Sequence, residues 1–301
     1  MEPSSAPRRP LGNVVVATDF SENAEWAVHR AATLPIAADR SLTICHVVPG
    51  GLPTPLTSEL EAAARSELSR LANDARALAR NSGAHRLEVV TAVGQGSPVA
   101  EIARLSLEAK AELTVVGRHG QHRFRDLLLG SVAERIVRRS ELPVLIVQGL
   151  PAGPYRKPLV ALDGCGTSER ALQLAIRMLD AKTEVIEVVH AVPTTLAGVA
   201  SLNDRTGARL KEYLEECRQT GERETRAELA GLGEVGIRWN LRVCYGDARP
   251  AILAEAKGLA ADLLALGTCG HSRLEGVLIG SVAEGVLRHA SCDLLLARDL
   301  S

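Results

Sequence analysis

Leu113-Thr114-Val115-Val116-Gly117-Arg118-His119-Gly120, followed after nine residues by Gly130-Ser131-Val132-Ala133-Glu134, has a second copy further along the chain. That copy is Leu263-Leu264-Ala265-Leu266-Gly267-Thr268-Cys269-Gly270, followed after nine residues by Gly280-Ser281-Val282-Ala283-Glu284. The three glycines and the serine of each copy are offset by 150 residues. An apolar run leading into glycines and then a helix is an anion-binding arrangement. Glycine lets backbone N–H groups approach a phosphate, and a helix N-terminus adds partial positive charge. One such stretch could be an ordinary turn; two at one offset imply a duplicated domain with a duplicated site.

The rest of the chain alternates strand and helix signals in both halves. In the first, Val14–Thr18 is an apolar run ending at Asp19, and Ser21 is placed to cap a helix from Glu22. Strands follow at Leu42–Val48 and Leu87–Val93, separated by a loop over Gly51–Thr57 and a helix over Ser58–Asn81. Pro98 suits the first turn of a helix running to Lys110. Leu113–Val116 and Pro143–Val147 are strands, with a helix over Ser131–Arg139 between them. The second half repeats the order: Leu159–Leu162 ending at Asp163, a helix from about Ser168, Val185–Val192, a helix over Asn203–Leu229, and Ile237–Cys244. A helix to Leu259 and strands at Leu263–Leu266 and Asp293–Ala297 complete it. Strands of nearly continuous Val and Leu, alternating with helices, form parallel sheets covered on both faces. Right-handed crossovers then bring Asp19 and Gly117, and likewise Asp163 and Gly267, to one mouth at the carboxyl ends of the strands.

Length and composition agree. The 301 residues suffice for about two domains, read as a flexible tail over 1–11, domains over 12–150 and 158–301, and a Pro- and Gly-containing linker over 151–157. Aromatic residues make up 2% of the chain, so the core must be aliphatic. A net charge of −1 gives no bulk attraction to nucleic acid or membrane. The six cysteines include no C-x2-C pair, which argues against a zinc site or a disulfide framework and for reduced thiols in the cytoplasm. The polar N-terminus does not read as a signal peptide, and no apolar run approaches a membrane span.

These residues together resemble the universal stress protein family in its tandem, ATP-binding form. The resemblance rests on Val16-Ala17-Thr18-Asp19-Phe20-Ser21, His46-Val47-Val48, Gly94-Gln95-Gly96-Ser97-Pro98, the glycine phrase and Pro143–Val147. In the second half it rests on Val160–Gly164, His190-Ala191-Val192, Gly246–Pro250 and the second phrase. It implies two five-stranded parallel-sheet domains, Rossmann-like and of the adenine nucleotide alpha hydrolase-like type, forming an intrachain pseudo-dimer through their last strands. It implies ATP, with magnesium carried on its phosphates, as the ligand, and a regulatory role in stress response read by an unidentified protein partner. Homodimerisation of the whole chain is compatible with it. By the same resemblance Asp19 and Asp163 contact the adenosine end, and the backbone at Val47 and Ala191 meets the adenine. Gly117, Gly120, Gly130, Ser131 and Val132, with Arg118 and His119, cradle ribose and phosphates in the first half. Gly267, Gly270, Gly280, Ser281 and Val282 do so in the second.

Other readings remain open from the residues. Asp19 and Asp163 also suit helix capping or an Asx turn. Arg118, His119, His122, Arg123 and Arg125 form either a phosphate clamp or a solvated basic loop. Ser131 and Ser281 lack a G-x-S-x-G setting, so they read as capping hydroxyls rather than nucleophiles. No catalytic residue and no metal-ligand spacing is assigned. Slow ATP hydrolysis or a ligand-free interaction scaffold are the alternatives. Because Thr268 and Cys269 stand where the first phrase has Arg118 and His119, the second site is expected to bind more weakly, provided that Arg118 points inward.

Overall fold

The computed structural model describes residues 8–82, 87–119, 130–192, 204–232, 236–268 and 279–298. The first half contributes β1 (Asn13–Ala17), β2 (Ser41–Val48), β3 (Glu88–Gln95), β4 (Ala111–Gly117) and β5 (Val144–Val147). The second contributes β6 (Pro158–Ala161), β7 (Val185–Val192), β8 (Arg238–Tyr245), β9 (Leu263–Gly267) and β10 (Asp293–Ala297). Between them run α1 (Glu22–Ala32), α2 (Thr54–Asn81), α3 (Pro98–Glu108) and α4 (Ser131–Arg139). Their counterparts are α5 (Gly166–Met178), α6 (Asp204–Gly231), α7 (Ala248–Gly258) and α8 (Ser281–His289).

All ten strands form one sheet in the order β3-β2-β1-β4-β5-β10-β9-β6-β7-β8. Among the described residues, pairing is parallel within each half and antiparallel only where β5 meets β10. There Leu145 lies opposite Leu295, its own counterpart, so a pseudo-twofold axis passes through this seam. The expected pairing of the last strands is therefore the centre of the molecule. It also covers two apolar edges that would otherwise template aggregation.

The period of two along a strand divides the core. Val14, Val16, Leu113, Val115 and Leu145 face α1, α2, α5 and α6 in one cluster. Val15, Val116, Val144 and Ile146 face α3, α4, α7 and α8 in the other. Aliphatic side chains fill both, in keeping with the composition.

Several sequence boundaries move. Helix α2 starts at Thr54, inside the stretch read as loop, because Pro55 occupies the first turn, where a missing N–H costs nothing. Helix α5 starts at Gly166 rather than near Ser168. The residues at the end of the expected tail are not loose. Leu11 is fully buried and bridges to Ile36, Arg8 donates to the carbonyls of Asp180 and Thr183, and Arg177 donates to the carbonyls of Arg9 and Pro10. The linker is also built in: Tyr155 is 1% exposed and its hydroxyl donates to Asp293 at 2.6 Å.

Candidate functional site

In each half the chain winds outward in both directions from the first strand, since β1 lies between β2 and β4, and β6 between β7 and β9. The crevice at the carboxyl ends of these neighbours is where ligands sit in open parallel sheets. The segments after β1 and β4, the end of β2 and the start of α4 all converge on it.

After β1, Asp19 accepts from the Ser21 N–H at 3.1 Å and from the Ser21 hydroxyl at 2.6 Å. Ser21 Oγ in turn accepts from Ala24 N–H and caps α1. The Asx-turn reading of Asp19 is thus realised, and it fixes the carboxylate at the mouth. Asp163 does the same, accepting from Cys165 N–H at 3.1 Å. Between aspartate and cap the chain takes a left-handed turn, φ 62° at Phe20 and 76° at Gly164. Glycine adopts this freely; phenylalanine does not. Phe20 is held there with its ring stacked on His46, centroids 4.3 Å apart. His46 Nδ1 lies 2.8 Å from the Thr18 carbonyl, which must accept, so the proton sits on Nδ1. His190 repeats the contact with the Leu162 carbonyl at 3.0 Å. Instead of a stacked ring it has Gly221 of α6 against it: a Cβ there would lie 2.8 Å from the imidazole. Val47 and Ala191 follow these histidines, half-buried at the ends of β2 and β7.

The glycine phrase has two kinds of glycine. A Cβ on Gly117 would stand 2.5 Å from the Asn23 carbonyl oxygen, and one on Gly267 would stand 2.8 Å from Ser168 N. These glycines let the strand end pass the first turn of α1 or α5, a packing reason that needs no ligand. Gly130 and Gly280 are different. Both are extended, with φ −60° and −70°, which any residue can adopt. Both are N-caps, of α4 and α8, and as glycines they supply no side-chain cap. Ser131 and Ser281 follow, exposed, while Val132 and Val282 pack toward the core. The ends of the phrase are tied by Gly130 N–H to Arg118 O at 2.8 Å and by Gly280 N–H to Thr268 O. Gly120, His122, Arg123, Arg125, Cys269 and Gly270 lie outside the described residues, and His119 ends the described stretch.

The Arg118 reading requires correction. Its guanidinium donates to Gln148 Oε1 at 2.6 Å and, across the seam, to the carbonyls of Ala290 at 2.9 Å and Arg288 at 2.8 Å. These unsatisfied carbonyls at the end of α8 attract it more than a mouth open to water. The expected weakness of the second site therefore cannot rest on Arg118.

Another asymmetry was not legible. In the first half Glu25 of α1 pairs with Arg70 of α2 at 2.5 Å. In the second half Glu169, its counterpart, lies near Glu228 of α6 and Asp163. Burial, then these two carboxylates, push the Glu228 carboxyl up to about 7. Among the described residues, the second half thus brings one carboxylate more, Glu228, toward its mouth.

The comparisons with known proteins agree with this geometry. The family model described as the universal stress protein family matches residues 10–148 and 154–298. A universal stress protein of Mycobacterium tuberculosis H37Rv is 29% identical over 308 residues, covering 98% of this chain and 99% of the relative. A putative universal stress protein of Staphylococcus aureus is 34% identical over 148 residues, 48% of this chain and 84% of its own. Among solved structures, a universal stress protein from Archaeoglobus fulgidus superposes with a TM-score of 0.67 at 20% identity, over 95% of this chain and 98% of that one. A protein from Pseudomonas aeruginosa described as functionally unknown gives 0.64 at 17% identity, over 96% and 93%. The ten-stranded arrangement is thus a known fold. With a family match spanning both halves, the chain belongs to the universal stress protein family as a tandem, two-domain member.

Proposed function

We propose that the chain is an adenine-nucleotide-binding regulatory protein of stress response, holding ATP at one or both sheet edges. The observation that carries this reading is the pair of glycine-capped helices, α4 and α8. Each begins at a topological switch point with a glycine as N-cap, so that no N-cap side chain occupies its first-turn N–H groups. Such an end is suited to phosphate. Asp19 or Asp163, with the backbone at Val47 or Ala191, stands on the far side of the same crevice, where a nucleoside would lie. Magnesium would arrive on the phosphates. The family membership supports the reading, and cysteines kept reduced, as the sequence leads one to expect, fit a cytoplasmic protein.

Within this reading the first site is the tighter one. The reason is the added carboxylate: α6 brings Glu228 beside Asp163 and Glu169, against the approach of a polyanion, whereas in the first half Leu78 stands at its position and Arg70 pairs with Glu25.

Titration calorimetry with magnesium ATP tests both statements. Gly130→Val fits the backbone, since its φ is already extended, but places a branched side chain at the phosphate end. ATP affinity at the first site should fall about a hundredfold, about 2.8 kcal/mol at 1.4 kcal/mol per decade, with the fold intact. Gly280→Val should remove the weaker site. Unchanged affinity in both variants excludes the glycine-capped helices as phosphate sites. Native mass spectrometry of gently purified protein reports which nucleotide the chain retains.

A further inference from the structure

Two arginines at non-equivalent positions do the same thing on opposite sides of the seam. Arg118 follows β4 and donates to the carbonyls of Arg288 and Ala290, at the end of α8. Arg298 follows β10 and donates to the carbonyls of Arg138 at 2.8 Å and Ser140 at 2.9 Å, at the end of α4. The acceptors are counterparts, 138 with 288 and 140 with 290. The donors are not. The residue corresponding to Arg118 is Thr268, and the residue corresponding to Arg298 is Gln148. Each half therefore has one arginine at a paired strand end, on a different strand, and the contact is symmetrical only in outcome. Arg118 is tied to Gln148 beside it. A third cross-seam contact runs the same way, Arg138 to Glu284 at 2.9 Å.

The helices gripped are the two that open at the glycine phrases. A helix of nine residues is about 13 Å long at 1.5 Å per residue. A guanidinium fixed to its last carbonyls sets the position of its first N–H groups, because the element moves as a rigid body. Arg118 also belongs to the first phrase: its carbonyl accepts from Gly130 N–H. Through one residue, the base of the first phrase is joined to the far end of the second half's phosphate-side helix.

We infer that Arg118 and Arg298 are positioning residues for the opposite half's site, so that occupancy of one site alters affinity at the other. The inference rests on the nucleotide reading above. It requires that Arg118 act on the site opened by Gly280, and Arg298 on the site opened by Gly130. Loss of a local structural prop would instead act on the nearer site or on both alike.

The experiment uses the full chain. Gly130→Val isolates the second site and Gly280→Val the first. In the Gly130→Val background, Arg118→Ala should weaken magnesium ATP binding about fivefold, within the usual range for coupled sites, while Arg298→Ala should leave it within twofold. In the Gly280→Val background the dependence should reverse. Arg118→Lys, which keeps the charge but loses the fork of donors, should recover part of the loss. Hydrogen exchange of the unliganded chain gives a readout that needs no nucleotide: Arg118→Ala should speed exchange in α8, and Arg298→Ala in α4. Affinities at the opposite site that neither variant moves, with wild-type binding intact, overturn the coupling alone. Absence of ATP binding in the wild-type chain overturns the nucleotide reading and the coupling with it. If wild-type binding is intact and each arginine affects only its own half in both measurements, the cross-seam assignment is wrong.

Discussion

The two sheet edges are near copies, whereas the two flanks of the seam between them are not. At the edges, Asp19 and Asp163, His46 and His190, and the closures of the two glycine phrases repeat their hydrogen bonds. At the seam, Arg30 of α1 is 5% exposed and pairs with Asp293 of β10 at 2.9 Å. It also donates to the Gly153 carbonyl and lies over the Tyr155 ring, 4.0 Å from its centroid. Asp293 further accepts from Tyr155 and from Gln148 N–H. The counterpart of Arg30 is buried Leu174, and the counterpart of Asp293 is Pro143. One flank is thus ionic and the other apolar. Geometry required for a ligand must be reproduced in both halves, while an intrachain seam has only to be satisfied once on each side.

The largest test of this contrast removes the acid. Asp293→Ala leaves the Arg30 charge buried without its carboxylate and leaves Tyr155 and Gln148 N–H without an acceptor. Breaking a buried pair this way costs about 3–5 kcal/mol, read by denaturant titration of the full chain. Arg30→Leu with Asp293→Asn, which gives the ionic flank the leucine found on the other side, should recover about half of it. A loss of under about 1 kcal/mol, the value of an exposed pair, would mean that the ionic flank contributes nothing special.

A smaller effect tests the likeness of the edges. Gly117→Ala and Gly267→Ala should each cost about 1–3 kcal/mol by overpacking against α1 or α5. The melting temperature should fall similarly in both. Gly130→Ala should barely move it, because its backbone is already in an extended conformation that any residue adopts. If only Gly117→Ala destabilises, the strand ends pass their helices differently and the duplicated edge is not a true copy.

The order of strands and helices, the strand pairing at the seam and the adjacency of the strands that end at Asp19 and Gly117 were all legible in the sequence, because hydrophobic period and a repeated phrase carry that information. Roles set by long-range contacts were not. The Arg118 motif position suggests a phosphate clamp, yet besides Gln148 its partners lie 170 and 172 residues away, at the end of α8. Arg30 sits on an amphipathic helix like any surface arginine, and nothing local announces Asp293 as its partner. Leu11 and Tyr155 lie in segments that composition marks as tail and linker; Leu11 is held by backbone bonds to Pro35 and Ala37 of its own half, and Tyr155 by Leu179, Asp293 and Arg30. Phe20 in a left-handed turn is visible only against Gly164 at the matching position.

The smallest predicted effect concerns Glu228, where the second mouth differs most from the first. Its folded carboxyl titrates at about 7, against an ordinary value of 4.5. The folded state therefore holds this proton more tightly than the unfolded chain does. Between pH 4.5 and 7 the unfolded chain has released it and the folded chain has not, so stability declines as pH rises through this window. Above pH 7 the full penalty is present: an ionised carboxylate, half-buried, beside Asp163 and Glu169. Glu228→Gln keeps the shape and removes the charge. At pH 8 it should stabilise the chain by about 1 kcal/mol, well below the full equivalent of the shift because solvent screens a half-exposed group. At pH 4.5 the variant and the parent should melt together. The same variant should strengthen ATP binding at the isolated second site at pH 8 and leave the first site unchanged, since Leu78 stands at the corresponding place there. Equal melting temperatures at pH 8 would show that α6 does not bring Glu228 to bear on this mouth, and the electrostatic reason for a weaker second site would go with it.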